Sequence, residues 1–339
     1  MTSGRKAGAA GSGAARGLLS GRRRPSGRSR HGAPEALPAK APTLKRLLVF
    51  FPALFVLLWS TGFIGARYAM PHAEPFTFLA MRYALALALL GALAVMTSAP
   101  WPRWRPASHA MIAGSLIHGV YLGGVFYAVR HGLNAGIAAL IVGLQPILTT
   151  ILAASFLGEK VRPRHYLGLA LGLAGVALVI LPKLGGAGAY GFQTLAPVFL
   201  SAIAISVGSV WQKRFVGGVD LRTGTALQYL GALVPTLILA LATETMVVDW
   251  TGELVFALVW LVLVLSIGAI FLMLYLIREG AVSRVASLMY LVPGVTAVMA
   301  YLLFGETLQP VQLAGLALAG IGVAAATHQR GPKVLPPQP

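Results

Sequence analysis

The chain has 339 residues, 57% of them hydrophobic and only 11% charged, with a mean hydropathy of +0.77. Soluble domains carry about 25% charged residues, so a single water-soluble core is excluded and a polytopic membrane protein is indicated. The net charge of +18 does not point to a nucleic-acid partner, because it sits in an N-terminal tail and short loops; the lack of cysteine excludes disulfides, thiolate catalysis and cysteine-ligated metals.

Residues 1–46 hold eleven Lys/Arg against one Glu, including Arg22, Arg23 and Arg24, with no periodic apolar pattern. They read as a disordered, solvated tail, either attracted to anionic headgroups or an unselected extension. A twin-arginine signal fits poorly, since more than twenty residues separate these arginines from the first apolar run. Ten apolar stretches follow. They predict helical spans near 47–68, 76–97, 108–129, 135–157, 164–182, 192–213, 223–243, 254–277, 283–304 and 309–327. Each approaches the ~20 residues needed to cross the hydrocarbon core. Nothing shows the alternation of a membrane barrel, so only helices satisfy the backbone. Residues 328–339 form a C-terminal tail.

Spans one to five, over 47–182, return as spans six to ten, over 192–327, at a constant offset of 147 residues. Arg67 returns as Arg214, Pro146 as Pro293, Gly158 and Glu159 as Gly305 and Glu306, and Pro163 as Pro310. Gly168, Leu169, Ala170 and Leu171 return intact as Gly315, Leu316, Ala317 and Leu318. Five is odd, so the second copy enters the bilayer from the opposite face. The expected fold is an all-α membrane protein of ten spans in two inverted five-helix repeats, a common construction of secondary transporters. With the tail in the cytoplasm, that side collects 23 of the 27 Lys/Arg and the outer side four; without the tail the split is 12 to four. Both termini are expected to be cytoplasmic.

Trp59, Ser60, Thr61, Gly62 and Phe63, then Arg67, Pro75 to Thr77, and Met81 to Tyr83 form the opening of the first copy. Ala138 through Pro146 to Gly158, Glu159 and Lys160, and on to Gly168 and Gly175, form its close, and the second copy ends at Phe304, Gly305 and Glu306. In joint order and spacing these residues resemble the drug/metabolite transporter superfamily, specifically its EamA-type members of ten spans. The resemblance covers residues 47 to 327. The second copy departs in having Ser206 where the first has Trp59, and Tyr229 where it has Arg82. The resemblance implies a carrier of small polar or amphipathic metabolites, with a central cavity between the repeats, in a bacterial inner membrane.

Taken in order, the candidate site residues begin with Trp59, which with Tyr83, Tyr127, Trp211 and Tyr275 either lines a cavity or belongs to an interfacial belt. Arg82 lies about 9 Å below the outer surface at 1.5 Å rise per residue. It either snorkels or faces the cavity as a cation for a substrate carboxylate or phosphate. His118, with Tyr121 one turn away, is either a hydrogen-bonded interior residue or a participant in proton movement. Pro146 and Pro293 fall near the middle of spans four and nine and break their backbone ladders. Matching breaks in two halves point to a midplane site, to which Gln145 and Tyr290 would add polar contacts; the alternative is a packing kink. Ser206, Ser209, Gln212 and Gln228 are the polar candidates of the second half. Glu159 and Glu306, at helix ends on opposite faces, are either paired gates or carboxylates capping the next helix.

No phosphate-binding loop, zincin motif or Gly-x-Ser-x-Gly elbow occurs, and no metal site or cofactor is indicated. The nine acids all fall in tails, loops or helix ends. The expected function is a secondary transporter, an exporter of amino acids or related amphipathic compounds. It would work by alternating access through rocking of the two halves, either without coupling or with a proton or counter-substrate. Its partners are a small-molecule substrate and the bilayer; oligomeric state is left open. An intramembrane lipid-modifying enzyme would need acids or His clustered at one interface, and a non-transporting scaffold would need no polar midplane site.

Overall fold

The computed structural model describes residues 51–158, 162–183, 190–268, 272 and 289–327. Both tails, Glu159, Lys160 and Tyr275 lie outside the described residues. The described chain is all-α; its β-structure is one isolated bridge between Ala73 and Val248. Six helices are long and apolar enough to cross a membrane: α2 (Pro75–Met96), α3 (Trp104–Arg130), α4 (Ala135–Leu157), α5 (Pro163–Ile180), α6 (Phe192–Phe215) and α7 (Leu221–Thr243). Four more apolar helices have shorter qualifying stretches. They are α1 (Phe51–Ala69), α8 (Gly252–Gly268), α9 (Val292–Phe304) and α10 (Pro310–Thr327).

Local chemistry sets the helix ends. Pro75 and Pro163 stand in the first turns of α2 and α5, where a missing N–H costs nothing. Gly158 and Gly305 end α4 and α9 in the left-handed conformation, at φ 69° and 64°, which a residue without Cβ adopts freely. Several segments depart from regular α-helix, among them a π-helical stretch at Trp260–Gly268 in α8. Span three, predicted over 108–129, is a longer helix with a π-helical segment at Ser115–Val120. Span four divides into Ala135–Val142 and Gln145–Leu157, so Pro146 starts a new half-helix. Pro293 likewise stands in the first turn of α9, after a 3₁₀ turn at Met289–Leu291. Each proline stands just past a break, where its missing N–H costs no intrahelical hydrogen bond.

The helices pack through small residues, as lipid-embedded helices do. The α5–α10 contact is the most extensive in the fold. A Cβ on Gly168 would lie 2.6 Å from the Gly322 carbonyl oxygen, and one on Gly175 would lie 2.5 Å from that of Gly315. Rising numbers on α5 therefore meet falling numbers on α10, and the two helices run in opposite directions. α2 and α7 pack along their length and are clasped at both ends. The Glu244 carboxylate, just past α7, accepts from the Phe76 and Thr77 N–H groups at 2.8 and 2.6 Å and from the Thr77 hydroxyl at 2.7 Å. It thereby supplies the helix N-terminus with the negative charge its dipole favours. Glu74 returns the contact, accepting from the Thr245 hydroxyl and the Met246 N–H, both at 2.9 Å. At the other end the Thr223 hydroxyl donates to the Pro100 carbonyl at 3.0 Å.

Candidate functional site

A cavity of about 100 Å³ is enclosed by α1, α2, α3, α7 and α8. Trp59, Gly62 and Phe63 contribute from α1, Arg82 from α2, His118, Tyr121, Leu122, Val125 and Phe126 from α3, Tyr229 from α7 and Leu265 from α8. Sequence reasoning had singled out Trp59, Arg82, His118 and Tyr121 separately; the fold brings them together.

Arg82 does not snorkel. It is 4% exposed and turned inward. One terminal nitrogen donates to the Ser266 hydroxyl at 3.5 Å, and the buried Nε has no partner. Among the described residues no carboxylate pairs with it. Beside it stands Tyr229, whose hydroxyl lies next to the guanidinium and to Ser266. Arg82 and Tyr229 occupy equivalent positions of the repeat, 147 residues apart. The repeat register was the signal that could have found Tyr229, since equivalent residues near a two-fold axis meet each other. Ser266 carried no such signal in an apolar run.

His118 belongs to the π-helical segment, a feature frequent at functional sites. Its ring stacks on Tyr229 with centroids 4.6 Å apart and planes 13° apart. The Gln228 side chain reaches it, and its carbonyl accepts from the Tyr83 hydroxyl at 2.7 Å. Tyr83, fully buried, and Gln228 thus stand behind the wall and hold its parts in place.

The other predicted residues are not at this cavity. The buried Ser206 hydroxyl donates to the Ala202 and Gln145 carbonyls at 2.7 and 3.3 Å. On the opposite side of the repeat, Ser60 donates to the Val292 carbonyl at 3.5 Å. Gln145 and Val292 are the residues preceding Pro146 and Pro293, so each hydroxyl satisfies a carbonyl at a helix break. The Gln145 amide donates to Thr149 in its own helix at 3.1 Å. Tyr290 and Pro293 line a separate cavity of about 380 Å³ against α10, with Leu140, Gly143 and Leu144. Among the described residues the breaks border this second cavity and do not reach the Arg82 cavity. Tyr127 stacks on Phe76 and His131, and His109 stacks on Phe215 with Trp211 tilted against both, toward opposite ends of α3.

At the ends of α1 and α9, Glu306 accepts from the Arg67 guanidinium at 3.3 Å and from the Ala135 N–H at 3.2 Å. The expectation that it caps the next helix is corrected: it caps α4, because the fold brings the start of α4, not of α10, under the carboxylate. The Arg67 guanidinium also lies 5.5 Å from the Phe304 ring centre. Tyr68 packs edge-on against Phe304, and the Tyr190 hydroxyl donates to the Asn134 side chain beside Ala135. One carboxylate therefore ties α1, α4 and α9 together. Glu159, its repeat equivalent, lies outside the described residues. Among the described residues no group of three or more His, Cys, Asp or Glu is placed to hold a metal ion.

Comparison with known proteins places these features in context. The sequence pattern of the EamA-like transporter family matches twice, over residues 46–181 and 194–327. An inner membrane transporter of Escherichia coli (strain K12), YedA, is 29% identical over 300 residues, covering 87% of this chain and 95% of its own. The "Probable amino-acid metabolite efflux pump" of Salmonella typhimurium is 27% identical over 288 residues, covering 81% and 92%. A solved crystal structure covering 83% of this chain and 96% of its own aligns with a TM-score of 0.58 at 23% identity, a likeness of fold.

Proposed function

Because the chain belongs to the EamA-like transporter family, and is a secondary transporter of small metabolites in a membrane and not an enzyme, we propose that its substrate occupies the Arg82 chamber. Export is by alternating access, and the substrates are small metabolites carrying a carboxylate, the amino acids and their relatives being the class named for one similar protein. One observation carries this reading. Arg82 is a buried cation with an unpartnered Nε, in a chamber walled by helices from both copies of the repeat. Ionisable groups inside the membrane are costly, and they mark substrate paths.

The scaffold we propose is ten spans in two inverted repeats. The two family matches, the paired left-handed caps Gly158 and Gly305 and the antiparallel Gly168–Gly322 and Gly175–Gly315 contacts support it. The Arg67–Glu306 pair is the gate we propose for the outer side. The relatives support placement in a bacterial inner membrane, and the Lys/Arg distribution supports cytoplasmic termini.

The test is efflux from cells overproducing the chain, over a panel of amino acids and the corresponding acids. Wild type raises efflux of at least one compound over cells lacking the chain. Arg82→Gln, present at equal level in the membrane, loses it by on the order of tenfold or more. Full efflux by Arg82→Gln rules the chamber out as the substrate site.

A further inference from the structure

The six described carboxylates are all engaged away from the chamber. Glu74 and Glu244 clasp α2 to α7, Asp220 holds Arg222, Asp249 and Glu253 flank His72, and Glu306 holds Arg67. The guanidinium of Arg82 is permanently charged. It is buried, and its described side-chain neighbours, the Ser266 hydroxyl at 3.5 Å and the Tyr229 hydroxyl, are neutral. A buried charge without a counter-charge is strongly unfavourable, so a bound anion satisfies what the fold leaves open. A carboxylate matches the planar fork of an arginine, and the free Nε is one of the donors such a pairing uses.

Among the described residues, the same walls hold no carboxylate for a cation. Ser266 already donates to the Leu261 carbonyl at 3.0 Å, the Gln228 side chain is turned to His118, and Phe63, Leu122 and Val125 are apolar. The aromatic faces and the Tyr121 and Tyr229 hydroxyls can attract an ammonium group, but, unlike a carboxylate, they bring no negative charge to pair with that group. In a space of about 100 Å³ that group would also lie within a few ångströms of the guanidinium, where like charges repel.

We propose that the transported substrate is a small carboxylate monoanion with an apolar tail and no ammonium group, bound through Arg82. This rests on the chamber being the substrate site, and it departs from the zwitterion class that the amino-acid relatives' names suggest.

The test uses the full chain, purified in detergent near neutral pH, and three compounds that share one branched carbon skeleton. Isocaproate carries the carboxylate alone, leucine the carboxylate and the amine, and isoamylamine the amine alone. A ligand that binds the folded state raises the unfolding temperature. Isocaproate is expected to raise it saturably, and leucine to need on the order of tenfold higher concentration for the same shift. Isoamylamine is expected to give none. Arg82→Gln removes the isocaproate shift, and Arg82→Lys, which keeps the charge without the fork, retains a weakened one. The wild-type ranking stands by itself should either variant fail to fold. Leucine equalling isocaproate and losing its shift in Arg82→Gln overturns the monoanion assignment alone. A shift that persists in Arg82→Gln overturns the chamber as well. No shift with any of the three overturns the assignment.

Discussion

Asp220 shows how one side chain serves a helix end twice. It opens α7, accepting from the Arg222 N–H at 2.9 Å and from the Arg222 guanidinium at 3.1 and 2.8 Å. The guanidinium hydrogen bonds, helped by backbone donors, hold its carboxyl below the usual range against a small cost of burial. Because the folded pKa is depressed, the stabilisation is complete above the ordinary carboxylate pKa of about 4 and is lost as pH falls through the lower folded value. Both side chains are partly exposed, so the charge pair itself contributes little. Asp220→Ala should lose about 0.5–2 kcal/mol at neutral pH, the range for a missing N-cap, and Asp220→Asn less, since Asn also caps. Thermal unfolding in detergent across pH checks both, and the gap between wild type and Asp220→Asn should close in acid. At this scale the sequence was legible where chemistry is scarce. Arg82 and His118 stood out because charge and imidazole are rare in apolar spans. Ser206 and Gln145 also stood out by polarity, yet the Ser206 hydroxyl satisfies the Gln145 carbonyl at a helix break and the Gln145 amide bonds Thr149 in its own helix, which only the three-dimensional neighbours reveal.

The α5–α10 pairing is the clearest case of sequence specifying an element contact. Its glycines permit backbone approach that a side chain would forbid. Gly168→Leu should destabilise the fold by about 1–3 kcal/mol or more, as overpacking does, seen as lower unfolding temperature and loss of the monodisperse peak on size exclusion. Gly320, on the same α10 with nothing within 4 Å of an added Cβ, is the control. Gly320→Ala should be neutral or slightly stabilising. The repeat of Gly168 and Gly175 as Gly315 and Gly322 was visible beforehand, but which glycine meets which was not, since that depends on the hand of the crossing. The π-helical segment Ser115–Val120 was equally hidden. No local residue type demands it, and it exists among the contacts of α3 with α6 and α7.

For the whole molecule, the proposed ten spans and the Lys/Arg distribution predict both ends of the chain on one side. Fusions of a reporter active only in the cytoplasm should be active at the amino and the carboxyl terminus alike; activity at one end only rules out ten spans. The ten apolar runs and their duplication were plain in the sequence because the bilayer imposes length and hydrophobicity on every span. The chamber was only half legible, because it assembles five helices whose rotations are set by packing. The clasp between α2 and α7 has a further mechanical consequence. These two helices come from different copies of the repeat, yet they are riveted together at both ends. Arg82 and Tyr229 stand on this clasped pair. Rocking of one sequence half against the other would have to break the clasp, so transport that keeps it intact must move other helices around the pair.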